Sequence, residues 1–285
     1  MSFNNHQNWI ILNPIEEKIK TKIESKGTPL SLWNIKINRG VLTGYNEAFI
    51  ISEETMKKLV SADSKSAEII RPILRGRDIE RYKYNYCNLY MICTFPSLKY
   101  DINNYKGIKN YLLSFGKERL EQTGETHIIN GKEIKSRKKT NNKWFETQDS
   151  ISYWDEFNKQ KLVWTPVNSE YRFAIIPKGY VFNNSLFMMT GDKIELICAV
   201  LNSDLYRFYL YTMFSNGNYT YGSSAFFSKL PVIKETTLFG KIKQLVDTIN
   251  DNYADKIIEL NNIIYGLYDI SPEEIDFITK KLVSL

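Results

Sequence analysis

The spacing of apolar residues along this 285-residue chain shifts near residue 190 from mostly strand-like to helical, and that shift restricts its possible folds. Before it, apolar residues come mostly in short runs of strand length. Trp33, Ile35 and Ile37 alternate with polar neighbours. Ala48–Ile51, Leu89–Cys93, Lys161–Trp164, Phe173–Ile176 and Leu186–Met189 read as buried strands. Two helical stretches interrupt them, Glu53–Val60 and Tyr105–Glu121, and Ser64–Pro72 holds a short helix or turn. After it the period is three to four. Asp192 is placed to cap a long helix from Lys193 to about Phe214, striped by Ile194, Ile197, Leu201, Leu205 and Phe208. From Ile242 to Leu260 the same spacing recurs, and Ser271-Pro272-Glu273-Glu274 is a capping box. At the other end Asn13 caps a short helix with Pro14 in its first turn, and Gly27 stops it. Strands followed by helices predict an α+β chain with a helical C-terminal region.

What the chain lacks narrows its chemistry. Cys87, Cys93 and Cys198 are an odd number with no CxxC pair, which disfavours a disulfide scaffold or zinc ribbon and fits a reducing cytoplasm. His6 and His127, the two histidines, lie far apart, so neither a histidine metal site nor a Ser-His-Asp triad is indicated. There is no G-x-x-x-x-G-K-[ST] loop and no G-x-G-x-x-G turn. No apolar run reaches the roughly 18 residues of a membrane span, and the N-terminus lacks a signal-peptide pattern. The formal charge is +6, aromatics reach 14%, and 19 residues are Tyr. Such a surface suits phosphates and bases; abundant Lys, Asn, Ile and Tyr also follow from an AT-rich genome.

Several signatures then occur in a fixed order. They are Ile37-Asn38-Arg39-Gly40-Val41-Leu42-Thr43-Gly44-Tyr45, Ile70-Arg71-Pro72-Ile73-Leu74-Arg75-Gly76-Arg77-Asp78, Lys143-Trp144-Phe145-Glu146-Thr147, Phe182-Asn183-Asn184-Ser185, Ala199-Val200-Leu201-Asn202-Ser203, Leu230-Pro231-Val232 and Ile264-Tyr265-Gly266-Leu267-Tyr268. Over roughly residues 30–285 the chain resembles the TaqI-like C-terminal specificity domain of adenine-specific DNA methyltransferases and type IIG restriction-modification enzymes. The resemblance implies a mixed-sheet target recognition domain at residues 31–235, preceded by a lead-in helix and linker at 1–30 and followed by a helical region at 236–285. It implies duplex DNA as partner. It also implies a methyltransferase domain, in cis or in trans, that flips an adenine and methylates its exocyclic nitrogen from S-adenosylmethionine. The Asn-Pro-Pro-Tyr hallmark of that domain is absent, since Asn13-Pro14 is followed by Ile15-Glu16. The chain is therefore expected to be non-catalytic and to hold no cofactor, with S-adenosylmethionine, and Mg²⁺ if a nuclease is present, belonging to other parts of a parent enzyme.

Residue types suggest where DNA would be touched. Arg75, Arg77 and Arg81 cluster around Gly76, and arginine forks fit phosphate or guanine; an internal network with Asp78 is the other reading. Lys132, Lys135, Arg137, Lys138, Lys139 and Lys143 form a basic stretch almost without apolar residues, read as a loop that neutralises phosphates or simply stays solvated. Asn168, Arg172, Asn183 and Asn184 could pair with base edges, although Asn183-Asn184-Ser185 is also turn composition. Tyr219 and Tyr221 sit in a Gly-, Ser- and Tyr-rich connection, Ser215–Ser224. Two alternatives stand beside this reading. One is a half-specificity subunit that dimerises and recruits methyltransferase chains. The other is a cryptic Mg²⁺ nuclease built on Glu133-Ile134-Lys135.

Overall fold

The computed structural model describes residues 12–165, 167–168, 171–216, 219–221 and 224–284. The chain forms two compact units. One comprises Met1–Lys36, Pro166–Phe173 and Gly191–Leu285; the other comprises Ile37–Thr165 and Ala174–Thr190.

The second unit is built on strands, as the short apolar runs predict. A mixed sheet has the spatial order Val181–Phe182, Ile70–Leu74, Leu89–Ile92, Ile50–Ser52, with the first pair parallel and the others antiparallel. Another four-stranded sheet, most of its residues in this unit, runs Phe173–Ile176, Lys161–Trp164, Phe187–Gly191, Ile35–Arg39. Two apolar clusters fill the unit. One gathers Ile73, Leu74, Met91, Phe157, Phe182 and Met188, and the other Phe49, Ile70, Ile92, Ile108, Leu112 and Phe145. The ordered motifs meet here. A Cβ on Gly40 would fall 2.0 Å from the Asn183 carbonyl oxygen, so only glycine permits this approach. Val41 N then donates to Phe182 O at 2.7 Å, and Asn184 N to Val41 O at 2.9 Å.

Two expectations change. Ala48–Ile51 is not one strand: Asn46–Phe49 is a helical turn and Ile50–Ser52 the strand. The stretch Tyr105–Glu121 is two helices, Lys106–Leu113 and Lys117–Leu120, parted by Gly116 at φ +85°. Apolar spacing carries through such a break because both pieces cover the same core.

The first unit is mainly helical. Asn13 caps Pro14–Lys26 in a full capping box with Glu16, and Ser271 does the same for Pro272–Val283 with Glu274. Glu274 also takes Lys22 Nζ at 2.6 Å, linking these two helices. The expected long helix from Lys193 is broken into Ile194–Asn202 and Asp204–Phe214. Ser203 is the cause. Its backbone is extended (φ −64°, ψ 154°), and its hydroxyl accepts from Tyr206 N at 3.2 Å. Asp192 does not cap; its carboxylate accepts from Asn34 Nδ2 at 2.9 Å. Helices Phe239–Asp247 and Tyr253–Leu267 follow. No helix among the described residues is long and apolar enough to cross a membrane.

Candidate nucleic-acid interface

The basic stretch is more ordered than a polar loop. Thr126–Ile129 and Lys132–Lys135 pair antiparallel in register, joined by Asn130 and Gly131 at φ +53° and +72°. Two central residues with positive φ define a type I′ turn, which suits the twist of a two-stranded ribbon. Asn130-Gly131 is the usual sequence of such a turn, but the lysines that follow give the stretch the composition of a solvated loop.

Beyond the ribbon the chain is fastened down. Arg137 is 2% exposed. Its guanidinium donates to the carbonyls of Leu120 (2.7 Å), Thr43 (3.0 Å), Glu146 (2.8 Å) and Trp144 (2.6 Å) and lies 5.2 Å from the Phe49 ring centre. Burial pulls its pKa down to about 10, Arg119 adding to the effect and Glu146 opposing it; it remains charged at neutral pH. Arg137 is therefore an anchor and not the exposed phosphate contact expected of a residue in a basic run, because all its donors but one are spent on carbonyls inside the unit. Ser136 bonds Glu125 O, Thr140 bonds Gln122, and Asn142 Nδ2 reaches the carbonyls of Thr147 and Gln148. With these polar side chains turned inward, Lys132, Lys135, Lys138, Lys139 and Lys143 remain exposed on a fixed backbone.

Lys143 has company that the sequence did not reveal. A cavity of about 380 Å³ is lined by Lys99, Lys109, Lys143, Tyr100 and Trp144, with Asp101 at its wall. Lysines beside an aromatic face offer a phosphate and a base what each requires. Neither Lys99 nor Lys109 belongs to a charge run, so their spacing carried no signal.

The arginine cluster divides. Arg75 grips Asp78 with both Nε (2.9 Å) and Nη2 (2.8 Å), and Asp78 also accepts from Arg75 N at 2.8 Å. Burial pushes the Asp78 pKa up, but the hydrogen bonds and charge of Arg75 outweigh it and the carboxyl stays below its usual range. The internal network thus accounts for Arg75. Arg77 is exposed, and Arg81 stacks 5.8 Å from the Tyr82 ring centre. Gly76 N donates to Ser185 Oγ at 2.8 Å, which brings the arginine turn against the Asn183-Asn184-Ser185 turn. The Asn183 side-chain oxygen accepts from Ser185, so Asn183 acts in turn chemistry, whereas Asn184 is exposed.

The remaining candidates are in the other unit. Arg172 is exposed. Asn168 lies opposite Thr220, and Tyr219–Tyr221 pairs with Ser215–Asn216 and Val167–Asn168. The side chains of Asn168, Tyr219 and Tyr221, and all of His6, Gly217, Asn218, Gly222 and Ser223, lie outside the described residues. Glu133 and Lys135 share one exposed ribbon face. Among the described residues no group of three His, Cys, Asp or Glu could hold a metal ion.

The fold and the ordered motifs together fit one class of protein, the C-terminal specificity domains. Residues 71–232 match the TaqI-like C-terminal specificity domain, and the chain belongs to that family. Among solved structures it is similar to the type IIL restriction-modification enzyme MmeI, determined in complex with DNA. The TM-score is 0.56 at 12% identity, over 90% of this chain and 37% of that one. The type IIG restriction endonuclease BpuSI is similar with a TM-score of 0.49 at 12% identity, over 92% of this chain and 34% of that one. The chain thus spans about a third of the length of either enzyme. No curated protein sequence matches it.

Proposed function

We propose that the chain recognises a short duplex DNA sequence for a restriction-modification system and positions an adenine-N6 methyltransferase domain supplied in cis or in trans. The observation that carries this reading is the anchored basic stretch. Within a chain of the specificity-domain family, Arg137 fixes the backbone from inside while Lys138 and Lys139 stay at the surface. Lysines held in this way neutralise phosphates at a small cost in backbone entropy, which gives affinity without sequence choice. Choice then falls to exposed polar side chains such as Asn184 and Arg77, because Asn pairs with adenine N6/N7 and Arg with guanine O6/N7.

The test is selection from a randomised duplex library with the full chain, followed by binding across a salt series. Enrichment of one short motif supports the reading. Recovery of sequences no different from the input library would overturn it. A second measurement addresses the division of labour. Titration calorimetry with S-adenosylmethionine should show no micromolar site on this chain, because the cofactor is assigned to the methyltransferase domain.

A further inference from the structure

We propose that the Thr126–Lys135 ribbon enters the major groove and that Ile128 and Glu133, on its exposed face, discriminate base pairs. The inference rests on the DNA-recognition reading and adds a second reading element to Asn184 and Arg77. The register pairs Thr126 with Lys135, His127 with Ile134, Ile128 with Glu133 and Ile129 with Lys132. Alternation then sorts the ribbon into two faces. On one face His127, Ile129 and Ile134 are half-buried beside exposed Lys132, whereas on the other Thr126, Ile128, Glu133 and Lys135 are all exposed. Ile128 keeps 81% of its surface in solvent.

One exposed isoleucine is ordinary on a protein surface. Three further observations give this one a partner. First, the ribbon has the right form: the major groove, about 12 Å wide, admits a two-stranded ribbon. Second, it stands on a fixed base. Ser136 N donates to Glu125 O at 2.8 Å, Arg137 N to Glu121 O at 2.9 Å, and Arg119 reaches the Lys135 carbonyl. Third, its charges suit DNA. Lys132, Lys135, Lys138 and Lys139 surround the ribbon's second strand and the residues after it. Against a phosphate backbone Glu133 would be repelled; at a base edge it has a role, because a carboxylate accepts from cytosine N4. An apolar side chain meets the thymine methyl in the same groove. Since Ile128 and Glu133 are cross-strand partners, they would address the same or adjacent base pairs.

The experiment compares the full chain with Ile128→Ser and Glu133→Gln, after circular dichroism shows that both remain folded. Each protein selects from the randomised duplex library, and the wild-type site is then tested with uracil replacing thymine. The expected result is loss of preference at one position for Ile128→Ser and altered preference at one position for Glu133→Gln, each by roughly tenfold or more. Uracil substitution at one thymine should weaken the wild type severalfold and leave Ile128→Ser unaffected. If both variants recover the wild-type motif unchanged, the ribbon does not read bases and the proposal falls, while DNA recognition by the chain stands. If the wild type itself enriches nothing, the DNA-recognition reading fails and this assignment with it.

Discussion

Arg137 and Lys138 are chain neighbours with opposite surroundings, and sequence could not tell them apart. Within a basic run each looks like a phosphate contact; only the convergence of carbonyls from Thr43, Leu120, Trp144 and Glu146 makes Arg137 interior. Arg137→Ala should lower unfolding free energy by about 3 kcal/mol or more, since it leaves several buried carbonyls without donors. Lys138→Ala should stay within about 0.5 kcal/mol. Urea unfolding of both variants checks this, and equal losses would contradict it. A second buried cation makes a pH-dependent prediction. Lys161 is fully buried, its Nζ donating to Phe157 O (2.8 Å), Pro177 O (3.0 Å) and Tyr180 O (3.4 Å). Burial pulls its pKa down to about 7 from 10.5. Between these values the unfolded chain binds more protons than the folded one, so this group makes stability rise from pH 7 toward pH 10. The three carbonyls favour the charged form and limit the rise to a few kcal/mol, roughly. The pH slope of urea midpoints should be shallower in Lys161→Met than in wild type over pH 7–10; identical slopes would mean that Lys161 keeps its proton throughout.

Elements with local signals were legible. Asn13-Pro14 and Ser271-Pro272 start helices where the cap chemistry placed them, and the buried strands at Lys161–Trp164 and Phe173–Ile176 appear as read. Breaks inside one apolar stripe were not. Ser203 and Gly116 interrupt helices whose inner faces continue across the gap, because the core rewards the same spacing on both sides. The ribbon was legible in principle, since Asn130-Gly131 lies between Ile128-Ile129 and Ile134, but the lysines obscured it. The Lys99–Lys109–Lys143 cavity was not legible, because tertiary folding alone assembles it. The ribbon's dependence on its turn can be tested. A Cβ at Gly131 meets no atom within 4 Å, so the main strain in Gly131→Val is its φ of +72°. A left-handed β-branched residue costs roughly 1–2 kcal/mol. Amide exchange should quicken across residues 126–135 and change little in the strands around Ile70–Leu74. Uniform quickening would show that ribbon and core unfold together.

For the molecule as a whole, affinity and selectivity should respond to different residues. If Lys135, Lys138 and Lys139 neutralise phosphates, changing all three to Ala removes at most three ionic contacts. Each contact contributes about 0.9 to the slope of log affinity against log salt, so the slope should flatten by up to roughly 3 units, equally on selected and random duplexes. Asn184→Ala should behave otherwise. A lost base-edge contact costs about 1–3 kcal/mol on the selected site, little on random DNA, and leaves the salt slope intact. Filter binding over a salt series, with both duplexes and both variants, separates these patterns. Arg75 serves as a control, since its fork is already committed to Asp78 and Arg75→Ala should act on stability before it acts on DNA. An unchanged slope after the triple substitution would mean that the stretch does not meet the backbone. Phosphate contact would then be sought at Lys99, Lys109 and Lys143, where the same salt series on Lys99→Ala and Lys109→Ala would detect it.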